Sequence, residues 1–272
     1  MKQIMDVAVK AAIEASKEVL RLYNEGFSVS FKEDRSPVTT GDLKANEIIT
    51  TYLKGTSIPV LSEESEKESE EIRSSWQKYW CIDPIDGTKE YVNKTGEYCI
   101  SIGLLTPETS LLGVLAAPSL GLFYFAAEGL GSFKWEGKYE ELYDLSDKEN
   151  LTDELLKNSV KLPLKPESES YAFLTSRSHF NKKDEEYYQG LKKKYPEITL
   201  LQMGSAIKIG LVAEGKANEY ARLSSVNFWD IAGGHAIAKY AGLEITDYVT
   251  KKAINYKDIS TLLISGYIIK NI

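Results

Sequence analysis

The sequence predicts an α/β fold. An α+β N-terminal half, built on an antiparallel sheet, is followed by an α/β C-terminal half with a mixed or parallel sheet. Three observations carry this prediction. Helix-period stretches open the chain, four apolar runs between residues 98 and 135 are joined by short turns, and from residue 171 strand-like and helix-like segments alternate. The stretch from about 136 to 168 is polar, contains Pro163 and Pro166, and reads as connecting chain. A domain boundary is expected there, dividing the 272 residues into an α+β domain, 1–150, and an α/β domain, 151–272. No internal repeat is visible.

Residues 3–24 place Ile4, Val7, Ala8, Ala11, Ala12, Ala15, Val19, Leu20 and Tyr23 at helical spacing, with Gly26 as a stop. Residues 27–31 form a strand candidate, and 32–42 are a polar loop rich in turn residues. A second helix over 43–54 buries Ala45, Ile48, Ile49, Tyr52 and Leu53, with Asp42 as its N-cap. Residues 58–61 read as a short strand running into Ser62-Glu63-Glu64, and 65–71, nearly all Ser and Glu, as a solvated, mobile acidic loop. Residues 79–82 are a buried strand that stops at Asp83-Pro84, because proline removes a ladder donor. Strands follow at 98–105, 111–117, 122–127 and 131–135. The second half reads as strand 171–175, helix 182–194, strand 198–201, helix 206–213, strand 217–222 and helix 229–240, ended by Gly242, then strands 243–245 and 261–264.

The run Asp83-Pro84-Ile85-Asp86-Gly87-Thr88 is the centre of the chain. Two carboxylates sit three residues apart at a strand end, Gly87 lets the backbone approach a ligand, and Thr88 can cap a helix beginning at Lys89. Carboxylates, a hydroxyl and free helix amides at one spot suit a divalent metal with phosphate. Taken alone, the run reads equally as an ordinary Asp-rich turn. The haloacid dehalogenase phosphatases also carry Asp-Gly-Thr, but their motif needs aspartates two apart, not three. Asp42, alone, reads as a cap rather than a catalytic group.

Bulk properties exclude several classes. Net charge is −7 and the longest basic run is Lys192-Lys193-Lys194, so nucleic-acid binding is not the main role. Cys81 and Cys99 lie in apolar runs and read as buried free thiols of a reducing compartment. His179 and His235 are too far apart to suggest a His-based zinc motif. No apolar run approaches ~20 residues and no leader pattern opens the chain. A cytoplasmic protein without a membrane-spanning segment is expected, peripheral contact with the inner membrane being compatible with this. Monomer and homodimer both fit.

Four separated stretches then match one family: Ser36-Pro37-Val38-Thr39-Thr40-Gly41-Asp42, Leu61-Ser62-Glu63-Glu64, Asp83 to Thr88, and Trp229-Asp230-Ile231-Ala232-Gly233-Gly234. In order and spacing, over nearly the whole length, the chain resembles the inositol monophosphatase superfamily of metal-dependent phosphatases. Within it, the chain is most similar to the bacterial 3′(2′),5′-bisphosphate nucleotidases. The stretches that carry this are Gly87-Thr88-Lys89-Glu90-Tyr91, Ser176-Arg177-Ser178-His179, and Gly204-Ser205-Ala206-Ile207-Lys208 with Glu214-Gly215 and Arg222. Tyr91 stands where phenylalanine is more usual, and Leu223-Ser224-Ser225-Val226 departs from the pattern.

The resemblance implies a layered αβαβα sandwich that hydrolyses phosphate monoesters with two or three Mg²⁺ ions. Glu63, Asp83 and the carbonyl of Ile85 would hold the first ion, and Asp83, Asp86 and Asp230 the second. Asp230 would arrive from the other domain at the start of its helix, placing the site in a cleft. Thr88 and Asp42 would form the catalytic dyad that takes a proton from the metal-bound water. Phosphate would take the amides of Gly87 and Thr88. His179, Ser205, Lys208 and Arg222 would surround the nucleotide, with Lys208 and Arg222 on the uncleaved phosphate. Taken singly, His179 reads as a loop residue and Lys208 as a helix-surface charge. Trp229 and His235 read as packing.

The expected activity is Mg²⁺-dependent removal of the 3′-phosphate from 3′-phosphoadenosine 5′-phosphate, giving AMP. That role belongs to sulfate assimilation and implies inhibition by lithium. The rivals are an inositol monophosphatase or broad sugar phosphatase on the same scaffold, and a non-catalytic nucleotide- or metal-binding paralogue.

Overall fold

The structure is a computed structural model that describes residues 1–166 and 170–271. Helix Lys2–Glu25 turns an alanine-rich stripe inward, burying Ala8, Ala11, Ala12 and Ala15 with Val9, Ile13 and Val19. These small side chains let helix Thr40–Lys54 lie along it through Ala45, Ile49 and Leu53. Together the two helices cover one face of a seven-stranded sheet. Its strands, in spatial order, are Val60–Ser62, Tyr79–Asp86, Cys99–Leu105, Ser110–Ala117, Leu122–Ala127, Gly131–Glu136 and Val160–Leu162. The first pair is parallel and the others are antiparallel.

Helices Ile207–Ala213 and Ala232–Ala241 lie against the other face of this sheet. Beyond them is a five-stranded mixed sheet, in the order Thr199–Met203, Ala172–Ser176, Glu219–Arg222, Tyr267–Lys270 and Glu244–Asp247. Helix Lys182–Lys194 closes its outer face, where Tyr187, Tyr188 and Leu191 pack on Phe173, Ala221 and Ile268. The layers run helix, sheet, helix, sheet, helix, the αβαβα sandwich that the resemblance implies.

Helix Ala232–Ala241 touches the first sheet backbone to backbone. A Cβ added to Gly113 would lie 2.0 Å from the carbonyl oxygen of Gly233, so only hydrogen fits. Ser110 Oγ donates to the carbonyl of Ala232 at 2.9 Å, and Ser101 Oγ to that of Trp229 at 3.3 Å. The sheet thus holds the chain just before this helix, where Asp230 stands.

Several expectations are corrected. The stretch from 136 to 168, expected as plain connecting chain, contains helices Tyr139–Leu145 and Leu151–Lys157 and the sheet's edge strand Val160–Leu162. Its residues 167 and 168 lie outside the described residues. The apolar groups of the two helices (Tyr139, Leu142, Leu151, Leu155) are spaced for a buried helix face but diluted by many charges. Strand Tyr267–Lys270, second from the edge of its sheet, went unread, and Thr261 to Ile264 shrinks to Leu263–Ile264, paired with Val226–Asn227. The polar loop 32–42 holds strand Pro37–Thr39, antiparallel to Val29–Phe31 in an exposed hairpin. The acidic stretch 65–71 runs into a short helix, Glu70–Ser74, whose Arg73 is buried and donates to the carbonyl of Ile259 at 2.9 Å. Cys81 and Cys99 are buried free thiols, and His235 is buried with Nδ1 at 2.8 Å from the Tyr256 hydroxyl. Among the described residues no helix is long and apolar enough to cross a membrane.

Candidate active site

Strand Tyr79–Asp86 does not end at Pro84. Asp83 pairs with Ser101 and Asp86 with Cys99, and the register shifts between them. Pro84, lacking an N–H, sits in this irregularity, where the ladder loses nothing by it. The bulge carries both aspartates to the same side of the site. Asp83 Oδ1 accepts the Ile85 N–H at 3.1 Å. Gly87 then takes φ 92°, and a Cβ there would press within 3.0 Å of the Glu97 carbonyl oxygen.

Gly87, not Thr88, is the N-cap of helix Thr88–Val92, so the Thr88 hydroxyl is free for other work. It lies 3.1 Å from Asp42 Oδ1 and 3.1 Å from the Ile85 carbonyl oxygen, and can donate its one proton to either. Asp42 is likewise not the cap of its helix. Thr39 is, and Asp42 completes a capping box from the third position, its Oδ2 accepting the Thr39 N–H at 2.7 Å and Thr39 Oγ1 at 2.6 Å. That leaves Oδ1 for Thr88. Asp230 stands in the turn before helix Ala232–Ala241, rather than on its first residue, and its Oδ2 accepts the Asn227 N–H at 2.8 Å.

One carboxylate oxygen from each of Asp83, Asp86 and Asp230 falls within 4.8 Å of the others. Three anions so close, one buried and two partly buried, resist ionisation. Burial, then Glu63, Asp86 and Asp230, drives Asp83 well above the carboxylate range. Asp86 is pushed to about 6 by burial, which Lys208 and the Ala206 N–H only partly offset. Asp230 is pushed to about 8 by burial and then by Asp86. The protein's own cations leave this charge largely uncompensated. An all-oxygen donor set of this kind fits a hard divalent cation.

Glu63 lines the same cavity but stands outside the close triad. Its carboxylate accepts Lys32 Nζ at 2.7 Å, and the same ammonium reaches Glu64 at 2.6 Å. Sequence reasoning missed Lys32, whose only signal was its place in a polar loop. It also missed Lys67, which donates to the Glu63 carbonyl at 3.1 Å and lies 5.0 Å over the Trp229 ring.

A cavity of about 240 Å³ opens onto the triad. Glu63, Asp83, Ile85, Asp86, Gly87, Thr88, His179, Ser205, Lys208, Arg222 and Asp230 all line it, while Asp42 lies buried behind Thr88. Lys208 is buried, contrary to the surface charge that its helix alone suggested. Its Nζ donates to the carbonyls of Met203, at 3.1 Å, and Ser205, and lies 5.2 Å from the Tyr220 ring. Burial lowers it to about 8, with Arg222 in the same direction and Asp86 opposing. His179 Nδ1 is 3.3 Å from Ser176 Oγ. Tyr220 and Tyr267, not singled out from the sequence, also line the cavity, as does Glu90, named there only within its motif.

Comparison with known proteins identifies the family. The inositol monophosphatase family model matches residues 1–269. The chain is 34% identical over 268 residues to the 3′(2′),5′-bisphosphate nucleotidase CysQ of Shigella flexneri, covering 97% of this chain and 98% of that one. The crystal structure of CysQ from Bacteroides thetaiotaomicron, a bacterial member of the same family, superposes with a TM-score of 0.89 at 35% identity, covering 99% and 97% of the two chains. An IMPase/NADP phosphatase solved with Mg²⁺ and phosphate shares the fold, with a TM-score of 0.70 at 20% identity over 95% of this chain and 86% of that one. The four sequence stretches, the carboxylate triad they bring together and these likenesses place the chain in the inositol monophosphatase family, a Mg²⁺-dependent family of phosphatases.

Proposed function

We propose that this chain is a Mg²⁺-dependent 3′(2′),5′-bisphosphate nucleotidase that removes the 3′-phosphate of 3′-phosphoadenosine 5′-phosphate, giving AMP and phosphate. One observation carries the substrate reading. A single cavity is lined both by the carboxylate triad and by the cations Lys208 and Arg222, with His179. Such a site suits a molecule with two phosphates, one at the reacting end and one held by a buried ammonium and a guanidinium.

Asp83, Asp86, Asp230, Glu63 and the Ile85 carbonyl would hold the metal. Bound Mg²⁺ supplies a water acidified toward neutrality and neutralises phosphate charge. The chain's own residues do the rest. Asp42 Oδ2 is fully engaged by Thr39, so Oδ1 is aimed at Thr88. With the Thr88 hydroxyl donating there, its oxygen can take the proton of an attacking water while its own proton passes to Asp42 Oδ1. Burial raises Asp42 above the usual carboxylate range, against the Thr39 and Thr88 bonds, and so makes Oδ1 a better proton partner. The Gly87 and Thr88 amides orient the phosphate. In a cell the reaction would clear a by-product of sulfate assimilation, and lithium would inhibit it.

The test is phosphate release with Mg²⁺ from adenosine 3′,5′-bisphosphate and from inositol 1-phosphate. A strong preference for the bisphosphate is expected. Preference for the inositol ester would overturn the substrate, and no release from either would overturn the activity.

A further inference from the structure

Around the cavity, the two halves of the chain meet at a residue whose side chain touches none of the groups assigned to chemistry. Glu97 stands just before strand Cys99–Leu105 and accepts three hydrogen bonds from the other half. Arg177 Nε donates to Oε2 at 2.8 Å and Arg177 Nη2 to Oε1 at 2.7 Å, a bidentate pair. The Gly204 N–H donates to Oε2 at 2.8 Å. Arg177 Nη2 also donates to the Gln202 carbonyl at 3.0 Å, and the Arg177 N–H to that of Met203 at 3.1 Å. Ser176 and Met203 already pair at the ends of two adjacent strands, and this one carboxylate binds both loops that leave them, 177–179 and 204–206.

The backbone of Glu97 is gripped as well. A Cβ on Gly204 would lie 2.6 Å from its carbonyl oxygen, and one on Gly87 3.0 Å from the same atom. The glycine that opens the phosphate-side helix and the glycine that opens the Lys208 segment therefore press on one carbonyl. A second carboxylate on the same side, Glu90, accepts the Ser178 hydroxyl.

The two loops carry His179 and Ser205, which line the cavity, and the second leads directly into Lys208. The Glu97 side chain is 13% exposed, and the Arg177 side chain 48%. With its guanidinium half exposed, the pair adds little to global stability, so its main consequence is local geometry.

We propose that Glu97 is a positioning residue for substrate. By holding Arg177 and the Gly204 amide together, it sets where the binding loops of the second half stand relative to the phosphate end of the first. It acts on the grip of the distal phosphate and not on bond cleavage. The kinetic part of this proposal rests on the nucleotidase reading, while the structural part does not.

The experiment compares Glu97→Ala, Arg177→Ala, the double variant and Glu97→Gln with wild type. KM and kcat are measured with Mg²⁺ on adenosine 3′,5′-bisphosphate and on 4-nitrophenyl phosphate, which lacks a second phosphate. Either alanine variant should raise KM for the bisphosphate about tenfold, with kcat within about twofold and KM for the ester unmoved. The double variant should be no worse than the worse single, and Glu97→Gln, which still accepts the Gly204 N–H, should fall between. Amide hydrogen exchange should quicken in both loops of Glu97→Ala. Equal KM losses on both substrates, additive losses in the double variant, or unchanged exchange in either loop would overturn the proposal. If wild type fails to hydrolyse the bisphosphate, the functional reading falls. The exchange arm then decides alone, with faster exchange in both loops sustaining the clasp and unchanged exchange overturning it.

Discussion

Without Mg²⁺ the protein should lose stability as pH rises, by an amount set by the carboxylate triad. Asp230 stands at about 8 in place of 3.8, and Asp86 at about 6 in place of 3.8. Both are raised, so between these values the folded protein binds more protons than the unfolded chain. The stability this represents is complete below the unfolded value and is lost as pH climbs through the folded ones. For Asp230 the rise from 3.8 to about 8 corresponds to about 6 kcal/mol, at ~1.4 kcal/mol per pH decade. Between pH 5 and pH 8 about three of those decades fall to Asp230, about 4 kcal/mol, and Asp86 adds roughly one decade more, so the pair, whose members repel each other, costs of the order of 5 kcal/mol over that range. At roughly 2 °C per kcal/mol for a chain of this length, Tm should drop by about 10 °C. The assay is thermal unfolding in chelator at pH 5 and pH 8, repeated with saturating Mg²⁺. Mg²⁺ should raise Tm far more at pH 8, where it pairs charges that are otherwise unpaired. Asp230→Asn keeps an oxygen for the Asn227 N–H and removes one charge. In chelator at pH 8 it should melt several degrees above wild type and lose most of the Mg²⁺ response. An equal Mg²⁺ effect at the two pH values, or an Asp230→Asn protein that melts below wild type at pH 8, would refute the reasoning.

Three further outcomes are expected. Asp86→Asn should lower kcat/KM by at least two to three orders of magnitude, the loss seen when even one neutral transition-state donor is removed, with an unchanged circular dichroism spectrum. Wild-type turnover would remove it from the metal set. Lys208→Ala removes a buried charged donor, worth about 1.5–3 kcal/mol, and should weaken bisphosphate binding about tenfold to a hundredfold. A simple phosphate ester should be far less affected, and equal loss on both would end its assigned role. Thr88→Val keeps shape but removes the hydroxyl, and kcat should fall roughly 10²- to 10⁴-fold with little change in KM, as steady-state rates will show.

The site was more legible in the sequence than the fold around it. Asp83, Asp86 and Asp230 are set by short motifs whose residue types suit metal chemistry, and each sits beside glycine, proline or a helix start. The stretch around Asp42 was misread because two residues three apart can share one cap. Thr39 supplies the hydroxyl and Asp42 the returning carboxylate, and spacing alone does not say which comes first. Lys32 was invisible because it acts from an exposed hairpin onto Glu63 and Glu64, a pairing across about thirty residues that leaves no local pattern. Tyr267–Lys270 was lost as a short apolar run close to the chain's end, although it joins Glu219–Arg222 to Glu244–Asp247 in the second sheet. Helix Tyr139–Leu145 was lost because its exposed face is crowded with acids, which lowered the apparent amphipathic signal.

The bare contact between Gly113 and Gly233 has a consequence for the metal centre. Asp83 and Asp86 ride on the sheet, whereas Asp230 rides on the segment leading into the helix that rests on that sheet. The gap among their oxygens is therefore gauged by two main chains in direct touch, with no deformable side chain interposed to act as a cushion. One methyl group at position 113 would act as a shim, tilting the helix and spreading the ligands. Such a change, remote from every acidic oxygen, should register first as weakened Mg²⁺ affinity.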